Sequence, residues 1–181
     1  MEKDTLELFG SLEKNPLEKW RVVYTKPRRE KKLANYAKER GIYYYLPLIE
    51  SVREYKDRKA TFWKPLFPSY IFVRCDVTKK DILQISGHTK MFLPVPNEAE
   101  LIHDLQQIYK SLESGAELQQ HPYLENGARV KIIDGPFSGI FGYVSDAKSK
   151  ETVVLQIQML QKAVAVKVKS SQVQIVRQKN K

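Results

Sequence analysis

Residues 20–42, WRVVYTKPRREKKLANYAKERGI, change structural period partway along, and that change decides the fold of the first half of the chain. WRVVYT is β-branched and aromatic, which predicts a strand. Pro27 suits a first helical turn, where its missing N–H is not needed. RREKKLANYAKERG predicts a helix with Leu33, Ala34 and Ala37 inward, charges outward and Gly41 as its stop.

Working outward, IYYYLPLIESVREY is aromatic-rich and strand-like, and KDRKAT is a polar turn. FWKPLFPSYIFVRCD predicts a further strand interrupted by Pro65 and Pro68, prolines that belong at an edge, a bulge or a strand start. Thr78 with Asp81 marks a short helix. MFLPV is a short strand. Asn97 with Glu100 caps a longer helix whose stripe is Leu101, Ile102, Leu105, Ile108, Tyr109 and Leu112. The order β-α-β-β-α-β-α predicts an α+β sandwich over residues 19–113. Residues 1–18 are acidic and unpatterned, which predicts a flexible leader with a short helix around Leu6 to Leu12. Residues 114–124 contain Gly115 and Pro122 and are expected to form a linker. Over residues 125–178, ARVKII, GYVSDA, TVVLQIQ, AVAVKVK and QVQIV are five short strands, enough for a small β-barrel.

The 181 residues carry a formal net charge of +10. Such a balance points to nucleic acid, an anionic membrane surface or an acidic protein face. Residues 19–64 hold 14 Lys/Arg against 5 Asp/Glu and form the most basic part. One cysteine, Cys75, excludes an internal disulfide and suits a reducing compartment. No apolar run approaches the ~20 residues of a membrane span. The N-terminus lacks the basic and apolar regions of a secretory signal. A cytoplasmic protein without a membrane partner is expected.

His88, His103 and His121 are scattered, no His–Cys group has metal-ligand spacing, and Cys75 has no nucleophile signature. The expectation is a protein that is not an enzyme and needs no metal or cofactor. Two stretches stand out instead. In PLFPSYIFV (65–73), Pro68, Tyr70 and Phe72 share one strand face and Ile71 and Val73 the other. Tyr24 joins them if the strands are neighbours. Such rings are either core or an exposed docking patch. In DGPFSGIFG (134–142), three glycines and a proline demand a tight turn between strands. The stretch lacks the GK[ST] ending and following helix of a phosphate-binding loop.

WRVVYTKPRREKKLANYAKERGI, YLP and PLFPSYIFV together resemble the N-terminal domain of the NusG family of transcription elongation factors. GARVKIIDGPFSGIFGYV (127–144) resembles the KOW motif of that family's SH3-like C-terminal barrel. The resemblance covers roughly residues 19–178. It implies an NGN-type sandwich, with helices flanking an antiparallel sheet, followed by the barrel. YKDRKATFWKPLFPSYIFV is most similar to the specialised UpxY and RfaH-type paralogues, which implies antitermination of particular operons, surface-polysaccharide ones for UpxY. The alternatives are a general NusG factor and a KOW protein that binds RNA or ribosomes.

The resemblance implies docking on the clamp helices of the largest RNA polymerase subunit through Tyr24, Phe67, Pro68, Tyr70 and Phe72. It places upstream or non-template DNA beside Lys26, Arg28, Arg29, Lys31 and Lys32, with Arg53, Lys56, Arg58 and Lys59 as a second group. In the barrel it implies a partner surface of Phe137, Ile140, Phe141 and Leu160. Met159, Leu160, Gln161 and Lys162 stand where general NusG carries an IFGR-type segment. Lysine lacks the planar fork of arginine, so Rho or a small-subunit ribosomal protein does not carry over as the partner.

Overall fold

The structure, a computed structural model, describes residues 7–176 other than 57, 147 and 149. The chain divides into two compact units, Met1–Ile102 and His103–Lys181.

The first unit contains β1 (Leu8–Phe9), β2 (Lys19–Thr25), α1 (Glu30–Lys38), β3 (Tyr43–Tyr45), β4 (Leu48–Tyr55), β5 (Arg58–Pro65), β6 (Tyr70–Cys75), α2 (Val77–Ile85), β7 (Thr89–Leu93) and the start of α3 (Glu98–Glu113). Its main sheet runs β1-β3-β6-β2-β7 and every pairing is antiparallel. One sheet face carries Val23, Ile71, Val73, Cys75 and Tyr44, which pack with Leu33, Ala34 and Ala37 of α1 and Leu83 of α2. The inward stripe of α1 is the one its sequence predicts. Gly41 takes φ +63, a left-handed stop that glycine adopts without steric cost, and Ile42 N–H reaches back to Ala37 O at 2.9 Å.

Three expectations change here. The leader forms β1, not a helix, where it lies within the described residues: Leu8 pairs with Tyr45 and Phe9 with Tyr44, and Phe9 sits edge-on to Tyr43 at 5.5 Å. The aromatic run 42–55 is two strands parted at Leu46–Pro47, and the proline-interrupted run is two as well, with residues 66–69 as a turn. The resulting β4–β5 hairpin is a separate two-stranded sheet with eight residue pairs, running from Leu48 opposite Pro65 to Tyr55 opposite Arg58. Finally, Asp76 caps α2 in place of Thr78, its carboxylate accepting Lys79 N–H at 2.8 Å. Asn97 does cap α3, through Glu100 N–H at 3.2 Å.

In the second unit the sheet order is β13-β9-β10-β11-β12-β8, made of β8 (Gln119–His121), β9 (Ala128–Ile132), β10 (Phe141–Val144), β11 (Thr152–Ile157), β12 (Lys162–Lys167) and β13 (Val173–Ile175). The five expected strands are present. The segment expected as a linker contributes a sixth, since Gln119 and Gln120 pair with Ala165 and Val164. Helical residues from His103 onward belong to this unit. Gln107 Oε1 accepts Phe141 N–H at 2.9 Å, and Asp104 Oδ2 accepts Gln158 N–H at 3.2 Å. Among the described residues no helix is long and apolar enough to cross a membrane.

Cys75 lies fully buried in the α1–α2 core, and burial pushes its thiol up to about 11. It therefore reports on opening of that core. Leu33→Ala is expected to cost about 2–5 kcal/mol, the usual range for a buried leucine. Labelling of Cys75 by a disulfide reagent should accelerate at least about tenfold, in proportion to the larger open population. Unchanged labelling in a variant with lowered denaturation midpoint would show that Cys75 does not sit in this core.

Candidate docking and nucleic-acid surfaces

The register of β2 builds the first surface. Tyr24 lies opposite Tyr70 on β6 and opposite Met91 on β7, so Tyr70, Tyr24 and Met91 form one row across three strands, on the face opposite α1 and α2. The Tyr24 and Tyr70 ring centroids are 5.3 Å apart, and Lys90 Nζ lies 5.1 Å from the Tyr24 ring. Both tyrosines are half-buried, Pro68 is exposed and Met91 is 46% exposed. One row deeper on the same face come Tyr45, Phe72, Val22 and Leu93.

Phe72 is 0% exposed and Phe67 4%. The Phe67 ring folds back edge-on to Phe72 at 6.3 Å. These two are interior, which corrects the expectation that they belong to an open patch. Period two gives the side of the sheet a residue occupies but not its depth along that side. The open row consists of Tyr24, Tyr70 and Met91, with exposed Pro68 in the turn that leads into β6. Met91 was missed because MFLPV carries no sign of which strand it borders.

The row is held rigidly. Ser69 has φ +67, unusual for a residue with a side chain. Its N–H donates to the buried carboxylate of Glu30 at 2.6 Å, and its C=O accepts Thr25 N–H at 2.9 Å. The start of β6, the end of β2 and the first turn of α1 are thereby tied at one point.

The cations fall into two distinct arrangements. Lys26, Arg28, Lys31 and Lys32 are exposed and Arg29 is half-buried, all on the β2–α1 turn and the first turn of α1. On the hairpin, cross-strand pairing separates the four predicted residues. Arg53 and Arg58 share a face with Phe62, and the Arg53 guanidinium lies 4.9 Å from that ring. Lys59 is on the other face, paired with Glu54 at 2.7 Å in the open, where such pairs contribute little. Lys56 stands exposed at the tip.

In the barrel, Phe137, Phe141 and Leu160 are half-buried, whereas Ile140 is only 2% exposed. Ile140 is a core residue, because the tight turn returns it inward: Ile132 N–H donates to Ile140 O and Gly139 N–H, at φ +88, donates to Ile132 O, both at 2.8 Å. Phe141 is flanked by Lys131 Nζ at 5.3 Å, the Arg129 guanidinium at 5.6 Å and the His103 ring at 6.4 Å. Among the described residues no three His, Cys, Asp or Glu side chains gather as a metal site.

A family model described as transcription termination factor nusG matches residues 18–120. The transcription termination/antitermination proteins NusG of Rickettsia typhi and Rickettsia prowazekii are 25% and 24% identical over 188 aligned residues, spanning 96% of this chain and 98% of each relative. A solved structure titled "Domain interaction in Thermotoga maritima NusG" is 19% identical and covers 88% of this chain and 98% of its own, with a TM-score of 0.46.

Glu30 supports the platform through one backbone hydrogen bond. Glu30→Ala should therefore lower stability by roughly 1–3 kcal/mol, the cost of an unpaired buried N–H. Amide exchange should speed up first at Ser69 and Tyr70. A variant with unaltered exchange at those two amides would contradict this anchoring.

Proposed function

Since the chain belongs to the NusG family of transcription termination and antitermination factors, whose members act with RNA polymerase and are not enzymes, we propose that it docks on the clamp helices of the largest polymerase subunit through the open row Tyr24, Tyr70 and Met91, together with Pro68. The observation that carries this reading is the uncovered part of that row. Two tyrosines and a methionine are fixed on antiparallel strands, and Pro68 sits in the turn that Ser69 and Glu30 lock. A rigid aromatic surface of this kind buries the apolar residues of a helical hairpin tip with little loss of side-chain entropy. Phe67 and Phe72 form the support under the row and do not touch the partner.

Held there, the factor bridges the clamp and suppresses pausing or premature termination. The cations of the β2–α1 turn and α1 contact upstream or non-template DNA, and Arg53, Arg58 and Lys56 of the hairpin add to that grip. We assign the protein to the operon-specific paralogues, of which the UpxY branch serves surface-polysaccharide operons. The support is in the barrel. Met159 and Leu160 lie in a half-buried 3-10 turn, followed by exposed Gln161 and Lys162, so the ring and guanidinium of an IFGR-type segment are both missing. The barrel presents Phe137, Phe141 and Leu160 to a different partner. Ordinary binding of Rho by the barrel, or altered polymerase occupancy on nearly all genes after deletion, would identify a general factor instead.

Tyr70→Ala should reduce polymerase retention in co-purification by at least about tenfold, a typical loss for an aromatic at an interface centre, with the thermal midpoint little changed. Phe72→Ala should behave differently. It costs about 3–5 kcal/mol of stability because a filled core position is emptied. Undiminished retention by folded Tyr70→Ala would refute the docking row. For the basic face, each lost phosphate contact should reduce the log–log salt dependence of single-strand binding by about 0.7. Lys31→Ala and Lys32→Ala, assayed separately, measure it.

A further inference from the structure

The β2–α1 turn meets the turn before β7 at a closely tied point. Lys26 N–H donates to His88 O at 2.9 Å, and Arg29 N–H closes the turn on Lys26 O at 3.2 Å. His88 N–H donates to Ser86 Oγ at 3.1 Å, and the imidazole stands edge-on to Tyr36 of α1 at 6.4 Å between centroids. Between Arg29 and Lys26 on the turn, Arg28 takes φ +59, a left-handed conformation that costs a side-chain-bearing residue roughly 1–2 kcal/mol. Strain kept in a short turn between cations is the kind of outlier from which a functional site is inferred.

The charges acting on the His88 ring are those of Arg29, Lys32 and Lys26, and all three are positive. Together with partial burial they hold its pKa below the ordinary histidine value, burial being the larger cause. Glu30, the acid of the first helical turn, directs its carboxylate to Ser69 N–H instead. Lys90, two residues along β7, leans over Tyr24. No side chain caps the N-terminus of α1, which adds its own partial positive charge to the same spot. The backbone bond from Lys26 to His88, the closure of the turn by Arg29 and the contact of His88 with Tyr36, one helical turn after Lys32, thus bring three cationic residues and an imidazole near the N-terminus of α1, where an anion would relieve their repulsion.

We propose that Lys26, Arg29, Lys32 and His88 form a single phosphodiester pocket, in which the imidazole becomes a proton-carrying donor once a backbone phosphate of DNA is seated. The pocket deepens, and rests on, the reading of the basic face as a nucleic-acid surface. Seating the phosphate supplies the missing negative charge, so the imidazolium form is favoured in the complex and disfavoured in the free protein. One proton is taken up on binding over the pH window between those two states. Affinity therefore rises as pH falls, by at most about tenfold per pH unit for one linked proton.

The test uses the full-length protein and a short single-stranded deoxyoligonucleotide. Imidazole C–H resonances are followed against pH with and without the oligonucleotide, and affinity is measured by fluorescence anisotropy at pH 6 and pH 8, values chosen to bracket the ordinary histidine pKa of ~6.5. His88 is expected to titrate at higher pH in the complex. Wild-type affinity is expected to be several-fold tighter at the lower pH, and His88→Gln, uncharged throughout, is expected to bind with the same affinity at both pH values. Bound oligonucleotide with an unshifted His88, or equal pH dependence in His88→Gln, overturns the pocket and leaves the basic-face reading standing. Absence of binding at both pH values refutes the basic face itself, and the pocket with it.

Discussion

The arrangement of the first unit depends on the double pairing of β2, with β6 on one side through six residue pairs and with β7 on the other through four. Because side chains alternate with period two, that register sends Val23, Ile71 and Val73 to the helices and Tyr24, Tyr70 and Met91 to the opposite face. A shift by one residue would exchange the two sets and place valines where the aromatic row stands. The register of β2 against β7 shifts between Tyr24 and Thr25, where the row ends and the cationic turn begins. The irregularity lets one strand end serve both surfaces, since a bulge redirects the side chains that follow it.

What the sequence made legible is what a single period dominates. The change from WRVVYT to the stripe Leu33, Ala34 and Ala37 needed no tertiary information, and neither did the alternation of Val164 and Val166 in the barrel. The failures were tertiary in origin. β1 is two residues long and has no period of its own; its pairing with Tyr44 and Tyr45 creates it. Pro65 and Pro68 looked like interruptions of one strand. They bracket a chain reversal that separates a hairpin from a sheet, and nothing local distinguishes the two cases. Phe72 was placed on the correct face and at the wrong depth, because depth is set by Phe67 folding over it.

Charge was redistributed by folding in the same way. The sequence presents two basic groups, at 26–32 and 53–59, without showing which faces their side chains occupy. Cross-strand pairing splits the hairpin group, sending Arg53 and Arg58 to the side of Phe62 and Lys59 to the side of Glu54. The turn group, by contrast, is joined to a histidine far along the chain, since Lys26 N–H donates to His88 O. Sequence proximity named both groups but could not show that the hairpin cations divide between two faces or that His88 lies beside the turn, because the potential at a point depends on distance in space.

The barrel carries one backbone feature that bears on the surface it offers a partner. Gln161 closes the 3-10 turn in a left-handed conformation at φ +48. That is the position aligned with the glycine of an IFGR-type segment, where glycine is accommodated at no steric cost. Gln161 therefore bears a strain that glycine would relieve. Gln158 N–H, at the start of that turn, donates to Asp104, and Gln158 Nε2 donates to Tyr143 Oη at 3.2 Å. These bonds fix the turn to both the helical residues and β10 of its own unit. A partner reading this end of the barrel would meet a tied turn carrying methionine, leucine and lysine, a softer and less directional surface than a ring and a guanidinium would offer.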